Sequence, residues 1–543
     1  MKKHDIITVD IVENASPIKS IAYHEGKKIM IEGGWAGEKA NVFITKNRGE
    51  RAEAVIREVL VKAPFETEGP CPHFGRCGGC ATGGITYSKQ LEVKRDYVLG
   101  LFKKANIPYK GFEGIIPSPV TEGYRNKMEF SFGNEFKDGP LTLGMHERGL
   151  HHNIVTVKDC MISPKDYRVI LAAAEKFFTD SGTLFYNKVT RSGYLRHLVI
   201  RCSVRRSELM INLVTTTDGT MDEKAFTEML LSLPLEYSIA GIIHTFTDSF
   251  ADAVKAQKTE ILYGNDYITE EICGLSFKIT PFSFFQTNTL AAEKLYEKVR
   301  EYVGDRSDKT IFDLYCGTGT IAQIVSNDSE KVYGIEIVEE AVIAANENAI
   351  NNGINNCEFI AGDVFEKVSR LPHADVIILD PPRAGVGTKA IEKIIAFNPE
   401  TFVYVSCKPQ SLINDLKSFL NAGYEIDKMC LVDMFPNTEH IETVVLLSKG
   451  NISSQNIRVE FSLEDMDMSR FQQGATYEQI QDWVQEKYGF HVSHLNIAQV
   501  KRKHGIIERE NYNKAKSPDS RQPGCPEEKV KAIEAALRFF QMI

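Results

Sequence analysis

The chain has 543 residues, 43% of them apolar and 25% charged, with a formal net charge of −9. One hydrophobic core does not serve that length, and several domains of ~100–200 residues each are expected. No apolar run reaches the ~18 residues of a membrane span, and MKKHDIITVDIVENASPIKS lacks the unbroken apolar stretch of a signal peptide, so a cytoplasmic location without a membrane partner is expected.

A binder of polyanions with this acidic balance must concentrate positive charge locally. Residues 89–127 hold eight Lys/Arg against four Asp/Glu, and residues 501–521 hold seven against three. Solvated faces explain such windows as well as nucleic acid does.

Residues 1–62 alternate short β-like runs with turns ("DIITVDIVEN", "IAYHEGKKIMIEGG", "EKANVFITKN"). Period-2 patterning with glycine punctuation predicts a small β-barrel. "APFETEGPCP" leads into "CPHFGRCGGC", where Cys71, Cys77 and Cys80 fall among glycines, with Cys160 as a fourth candidate. Eleven cysteines in so long a chain do not read as a disulfide framework. Three clustered thiols form a loop able to wrap a metal, and four thiolates suit zinc or an iron–sulfur cluster equally on chemistry.

Residues 63–275 read as a central α+β domain, the stretch 89–118 being a candidate to pack on the next domain instead. From 276 to 449, apolar runs alternate with helical stretches, predicting a parallel sheet covered on both faces. "DLYCGTGT" follows a strand and opens a helix, where Gly317 and Gly319 permit close backbone approach to a ligand. Glu336 ends the next strand, where a carboxylate can accept hydrogen bonds from ribose hydroxyls. Asp363 lies beyond the third strand and could meet an adenine edge. Asp380 opens the stiff "DPPRAG" loop beyond the fourth. Cys407 then ends a strand at the ligand-binding edge, with Pro409 fixing the turn. That position favours a nucleophile over a packing thiol. Residues 466–543 read as a helical extension. Gly489 and Ser493 separate two of its helices in a helix-turn-helix-like pattern that ends in Lys501-Arg502-Lys503, with possible nucleic-acid contact over 475–521.

In this order, "PFSFFQTN", "DLYCGTGT", "GIEIVEEAV", "DPPRAG", "VSCKP" and "DMFPNTEHIETVVLL" resemble the RNA uracil-5-methyltransferase family, typified by 23S rRNA enzymes, over residues 5–449. The resemblance implies a multidomain α/β protein. It would hold a Rossmann-like S-adenosylmethionine-dependent methyltransferase domain, an OB-like TRAM barrel that binds RNA, the central α+β domain and the helical tail. It implies Cys407 as the nucleophile adding to uracil carbon 6, and Glu442 as the base that later removes the carbon-5 proton. Asp380 would hold the uracil edge, while Gln286, Tyr315, Gly317, Gly319, Glu336 and Asp363 surround the methyl donor. Cys71, Cys77, Cys80 and Cys160 would carry a 4Fe-4S cluster. RNA is the implied partner, 23S rRNA first and tRNA second, and no protein partner is inferred. "YRNKMEFSF" and "LRHLVIR" are expected near that RNA. A reading of another class, prompted by the tail, is a nucleic-acid-binding regulator that keeps the α/β domain as a ligand sensor.

Overall fold

The computed structural model describes residues 1–69, 71–249, 256–364, 367, 371–450, 477–504 and 525–540. The chain divides into two compact units, Met1–Ser453 and Ser454–Ile543.

The first unit opens with five strands: β1 (Ile6–Ser16), β2 (Lys19–His24), β3 (Lys27–Glu32), β4 (Lys39–Arg48) and β5 (Arg51–Val61). They form a closed barrel in the order β1-β2-β3-β5-β4. Alternate residues point inward, so Val9, Ile11, Ile29, Ile31, Val42 and Ile44 meet in a small core of their own. Pairing of β1 with β4, Ile6 opposite Phe43, closes the sheet and removes its edges.

A seven-stranded sheet follows, from β7 (Lys127–Gly133), β8 (Thr142–Glu147), β9 (Leu150–Thr156), β10 (Leu195–Ser203), β11 (Glu208–Thr215), β12 (Ser238–Phe246) and β13 (Lys258–Gly264). Its order is β13-β12-β11-β10-β7-β8-β9. Helices Lys165–Asp180 and Glu223–Leu231 cover one face, where Phe178 and Phe226 pack on Phe130, Leu198 and Ile211.

The third sheet carries the predicted motifs. It contains β16 (Thr310–Leu314), β17 (Lys331–Glu336), β18 (Cys357–Ala361), β19 (Val376–Leu379), β20 (Thr401–Ser406), β21 (Tyr424–Val432) and β22 (Glu442–Lys449), with β6 (Gly111–Ile116) at one edge. The order β18-β17-β16-β19-β20-β22-β21-β6 reverses direction of travel between β16 and β19. In open α/β sheets such a switch point opens a ligand crevice beyond the strand ends. Separate apolar cores lie on the two faces.

The stretch 89–118 joins this sheet through β6, and Val98 and Phe102 of helix Tyr87–Ala105 pack in the same core as Phe402, Leu412 and Leu416. A hairpin, β14 (Ile268–Ile272) and β15 (Leu275–Ile279), straddles the boundary expected at 275/276. Its Ile272 and Phe277 pack in a core shared by the third sheet and by Met210 and Ile243 of the second, and its Glu270 accepts from the Ser203 hydroxyl at 3.0 Å, so the hairpin joins the two sheets.

The second unit has helices Tyr477–Tyr488, His494–Lys503 and Glu527–Phe539 around Ile480, Val484, Ile497, Val500 and Ile533. Gly489 takes φ of 75° just past the first helix, a conformation that favours glycine. Ser493 and Asn496 exchange capping-box hydrogen bonds at the start of the second. The pair expected from sequence is thus part of a three-helix core. Lys501 is buried with its ammonium 4.5 Å from the Tyr477 ring centre, and Lys503 pairs with Glu534 at 3.2 Å. Lys501 and Lys503, expected to face nucleic acid, are therefore partnered by residues of the unit itself. Residues 466–476 and 505–524, including most of "KSPDSRQPGCP" and of the basic window, lie outside the described residues.

In the first unit, Lys94 reaches Asp433 at 2.7 Å with both side chains fully buried. Removing one partner of such a pair strands a charge. Lys94→Met or Asp433→Leu alone is expected to destabilise by about 3–5 kcal/mol, and the double variant to recover most of that loss, in urea unfolding followed by circular dichroism.

Candidate active site

Three strand ends of the third sheet build the site. Asp380 follows β19, Cys407 follows β20, and Glu442 begins β22. β20 and β22 are antiparallel with Ser406 opposite Thr443, so continuing that register by one residue sets Cys407 opposite Glu442. Directly opposed residues have Cβ atoms ~5 Å apart. Cys407 is half-buried and not sealed in the core, while Glu442 is 4% exposed.

Electrostatics bind the three together. Burial, reinforced by the Glu442 and Asp380 carboxylates, pushes the Cys407 thiol up to about 11. Burial, and then Asp380, raises Glu442 to about 8, and burial alone raises Asp380 to about 7. The Arg383 guanidinium opposes the rise at both Cys407 and Glu442. His440, the histidine of "TEHIETV", is pushed down to about 4 by burial and then by Arg383, Lys94 and Arg125. It is neutral near pH 7 and stands edge-on to Phe435, with ring centres 6.2 Å apart.

A buried carboxylate fixes the "DPPRAGVG" loop. Asp415 accepts from the amides of Val386 (2.9 Å) and Gly387 (3.3 Å) and from the Tyr404 hydroxyl (2.6 Å). The Asp380–Arg383 turn is thereby tied to β20, the strand that presents Cys407.

Beside this group lies the glycine turn. Gly319 has φ of 75°, and a Cβ there would stand 2.5 Å from the Phe359 ring. Gly317 has φ of 54° with open space where its Cβ would be. Its amide donates to Glu336 at 3.1 Å, and the other Glu336 oxygen accepts from Ile337 and Val338 (2.9 and 3.0 Å). Tyr315 is held at φ of 68°, a strained conformation for an aromatic residue, and Asp363 is close enough to raise its hydroxyl after burial does. Gln286 is buried on the segment that leads into helix Thr289–Val303. That segment is fastened by Asn126, whose side-chain amide donates to the Gln286 carbonyl at 3.0 Å.

Two residues escaped the sequence reading. Asp313, the first letter of "DLYCGTGT", is fully buried, and one of its oxygens has no partner. Burial, with Asp380 and Glu336 nearby, pushes it well above the carboxylate range. Arg383, given no role by the sequence, is a cation of the crevice that acts on Cys407, Glu442 and His440. Its position in the Pro-Pro loop was the available signal.

The four cysteines also converge. Cys71, Cys80 and Cys160 line one small cavity with Phe74, Met161, Ile162 and Asn437, and Cys77 packs in the same core as Cys80 and Cys160. All are free thiols. Burial, reinforced by its thiol neighbours, pushes Cys80 up to about 12, and burial also raises Cys77. The segment "YRNKMEFSF" reaches the same region, where the Tyr124 hydroxyl donates to the Pro436 carbonyl at 2.8 Å; in "LRHLVIR", Arg201 donates to the Ser283 carbonyl on the segment that leads to Gln286.

The sheet order, the glycine turn and the acidic strand end define the S-adenosylmethionine-dependent methyltransferase fold. Residues 251–450 match the family model for tRNA (uracil-5-)-methyltransferase. A Clostridium tetani protein described as an uncharacterized RNA methyltransferase is 48% identical over 450 residues, 83% of this chain and 99% of its own. A Caldanaerobacter subterraneus protein with the same description is 45% identical over 83% of this chain and all of its own. The Pyrococcus abyssi tRNA (uracil-54, C5)-methyltransferase, solved with S-adenosyl-L-homocysteine, shares the fold with a TM-score of 0.64 at 24% identity, over 81% of this chain and 99% of its own. The chain belongs to the RNA uracil-5-methyltransferase family. Among the described residues, no helix is long and apolar enough to cross a membrane.

The charge arrangement is open to test through thiol reactivity. At one fixed, mildly alkaline pH, Glu442→Gln is expected to speed alkylation of Cys407 by iodoacetamide, because a neighbouring anion is removed. Arg383→Gln is expected to slow it, because a cation is removed. Mass spectrometry of the Cys407 peptide reads both rates.

Proposed function

We propose that the protein transfers a methyl group from S-adenosylmethionine to carbon 5 of uracil in RNA through a covalent Cys407 adduct, with 23S rRNA as substrate. One observation carries the reading: a thiol and a buried carboxyl face each other across two strand ends, beside a glycine turn with open space. S-adenosylmethionine supplies the electrophilic methyl. The residues fit it, since the Gly317 turn leaves room for close approach and the Glu336 carboxylate ends the neighbouring strand, where a ribose would lie.

Carbon 5 of uracil is a weak nucleophile. The Cys407 thiolate attacks carbon 6 and pushes electron density onto carbon 5, which takes the methyl. Asp380 holds the uracil edge and helps polarise the ring. Glu442 then removes the carbon-5 proton, the ring double bond re-forms, and the thiolate leaves. The target base must leave its stack to reach Cys407.

The rRNA assignment rests on two features through which the chain resembles the rRNA enzymes, the TRAM-like barrel and the four thiols. Those thiols also fit a 4Fe-4S cluster. Crowded, buried thiols are costly as thiolates unless a metal neutralises them. A zinc tetrahedron with Zn–S near 2.3 Å would draw the sulfurs closely together. Among the described residues, the group of His, Cys, Asp or Glu ligand atoms found within 4.8 Å of one another is elsewhere, at Glu223, His244 and Glu260. The cluster is given no part in methyl transfer. tRNA is the alternative substrate. The regulator reading has no separate support, because it needs neither Cys407 nor Glu442 at the crevice.

RNA carrying 5-fluorouridine tests the chemistry, since fluorine cannot leave as a proton. The wild type is expected to form a denaturation-resistant complex with that RNA, and Cys407→Ser none. Glu442→Gln should lower turnover on ordinary RNA by ~10²–10⁴-fold. Absence of the complex in the wild type overturns the covalent route, and methylation mapping of rRNA and tRNA from a deletion strain decides the substrate. Protein purified without oxygen is expected to contain iron and sulfide, lost in Cys80→Ser; zinc without iron would refute the cluster.

A further inference from the structure

The loop from Asp433 to Ile441, which delivers Glu442 to β22, is held largely from outside its own sheet. The amides of Ala81 and Thr82, the two residues after Cys80, both donate to the Asn437 carbonyl, at 2.8 and 2.9 Å. Asn437 and Gln90 form a reciprocal pair. The Asn437 amide donates to Gln90 Oε1 at 2.8 Å, and Gln90 Nε2 donates to Asn437 Oδ1 at 3.0 Å. The Thr82 hydroxyl is 3.2 Å from Gln90 Oε1 and 3.3 Å from the Thr438 carbonyl. Gln90 is 2% exposed and Thr82 fully buried, so these bonds do not compete with solvent. Asn437 has φ of 67° and lines the cavity shared by Cys71, Cys80 and Cys160.

Cys407 and Asp380 are held differently. Asp415 and the β19–β20 pairing fix them, and neither involves the cysteine loop. Glu442 shares the β20–β22 register with Cys407, but the loop that enters β22 is also held by the cysteine segment, and in that added support the two halves of the reaction differ.

We propose that the cysteine loop positions the base: Gln90 and Asn437 transmit the order of the four-thiol site to Glu442, and they govern release of methylated RNA rather than methyl transfer. This rests on the covalent reading above. In the step concerned, the carbon-5 C–H bond breaks and its proton passes to the Glu442 carboxylate. The freed electron pair forms the C5–C6 double bond, and the C6–S bond breaks to return the Cys407 thiolate. With the loop loosened, addition and methylation proceed while this elimination stalls. Gln90 and Asn437 touch no reacting atom and are positioning residues.

The test uses the full chain with methyl-labelled S-adenosylmethionine and RNA. Gln90→Leu removes the reciprocal amide pair, and Asn437→Gly removes the side chain while tolerating the positive φ. On ordinary uridine RNA, both variants are expected to accumulate a methyl-labelled enzyme–RNA complex that survives denaturing electrophoresis. Its lifetime should be ~10–100 times that of the wild type. On 5-fluorouridine RNA they should form the trapped complex at the wild-type rate. Iron-stripped wild type should behave as Gln90→Leu does. The proposal is overturned if complex formation on both RNAs falls together with turnover, which marks general misfolding, or if release is unchanged. It also falls if iron removal leaves complex lifetime unaltered. A wild type that forms no complex with fluorinated RNA defeats the covalent reading itself, a separate result.

Discussion

The antiparallel pairing of β22 with β20 is the constraint on which the site depends. Residues along these strands alternate between two buried cores. Val403, Val405 and Val444 face one, while Phe402, Tyr404, Val445 and Leu447 face the other. A slip by one residue would exchange every side chain between faces. Because both faces are filled, neither can accept the exchange, and the register at Ser406 and Thr443 is locked from both sides. Cys407 and Glu442 lie one residue beyond that pair, so core packing sets their opposition more than any contact between them.

This placement has an electrostatic consequence. Asp313, Asp380 and Glu442 crowd one crevice, where the Arg383 guanidinium opposes the rise at Glu442 and Cys407. Burial and mutual repulsion favour keeping protons on these groups and on the thiol. On the proposed reading, a sulfonium donor brings in the positive charge that the crevice lacks. Its arrival would favour the ionised acids and the thiolate, so the nucleophile becomes most available when the methyl group is in reach.

Much of this was legible in the sequence because it is local. The strand–helix rhythm, the turn at Gly317 and Gly319, and the proline loop each occupy a few consecutive residues, whereas the antiparallel β22 and the distant edge strand β6 are absent from the parallel sheet expected. The barrel was legible because its inward residues alternate. What could not be read is long-range. Lys94 and Asp433 are 339 positions apart, and nothing near either one announces a buried ion pair. The window 89–127 reads as basic and its stretch 89–118 only as a candidate to pack on the next domain, while nothing local marks Val98 and Phe102 as members of the third sheet's core. In the tail, the cap at Ser493 was visible, whereas the packing of the three helices hid the partners of Lys501 and Lys503, Tyr477 on the first helix and Glu534 on the third.

The loop from Asp433 to Ile441 shows why those distant contacts matter. It is irregular backbone in a buried setting, and beyond the Ile116 carbonyl of β6, which accepts from the Asp433 amide at 2.9 Å, its polar groups need partners from other elements. They come from four directions. Lys94 donates to Asp433 and to the Phe435 carbonyl, and Asn288 donates to the Met434 carbonyl. Tyr124 donates to the Pro436 carbonyl, and Ala81 and Thr82 donate to that of Asn437. Each donor sits on a different element, and the barrel supplies none of them. A loop satisfied in this way is ordered only when all its suppliers are in register. The position of the Glu442 carboxyl at its end therefore depends, besides the β20–β22 register, on the assembly of the central segment on the third sheet. That requirement accounts for motifs so far apart in sequence meeting at one strand end.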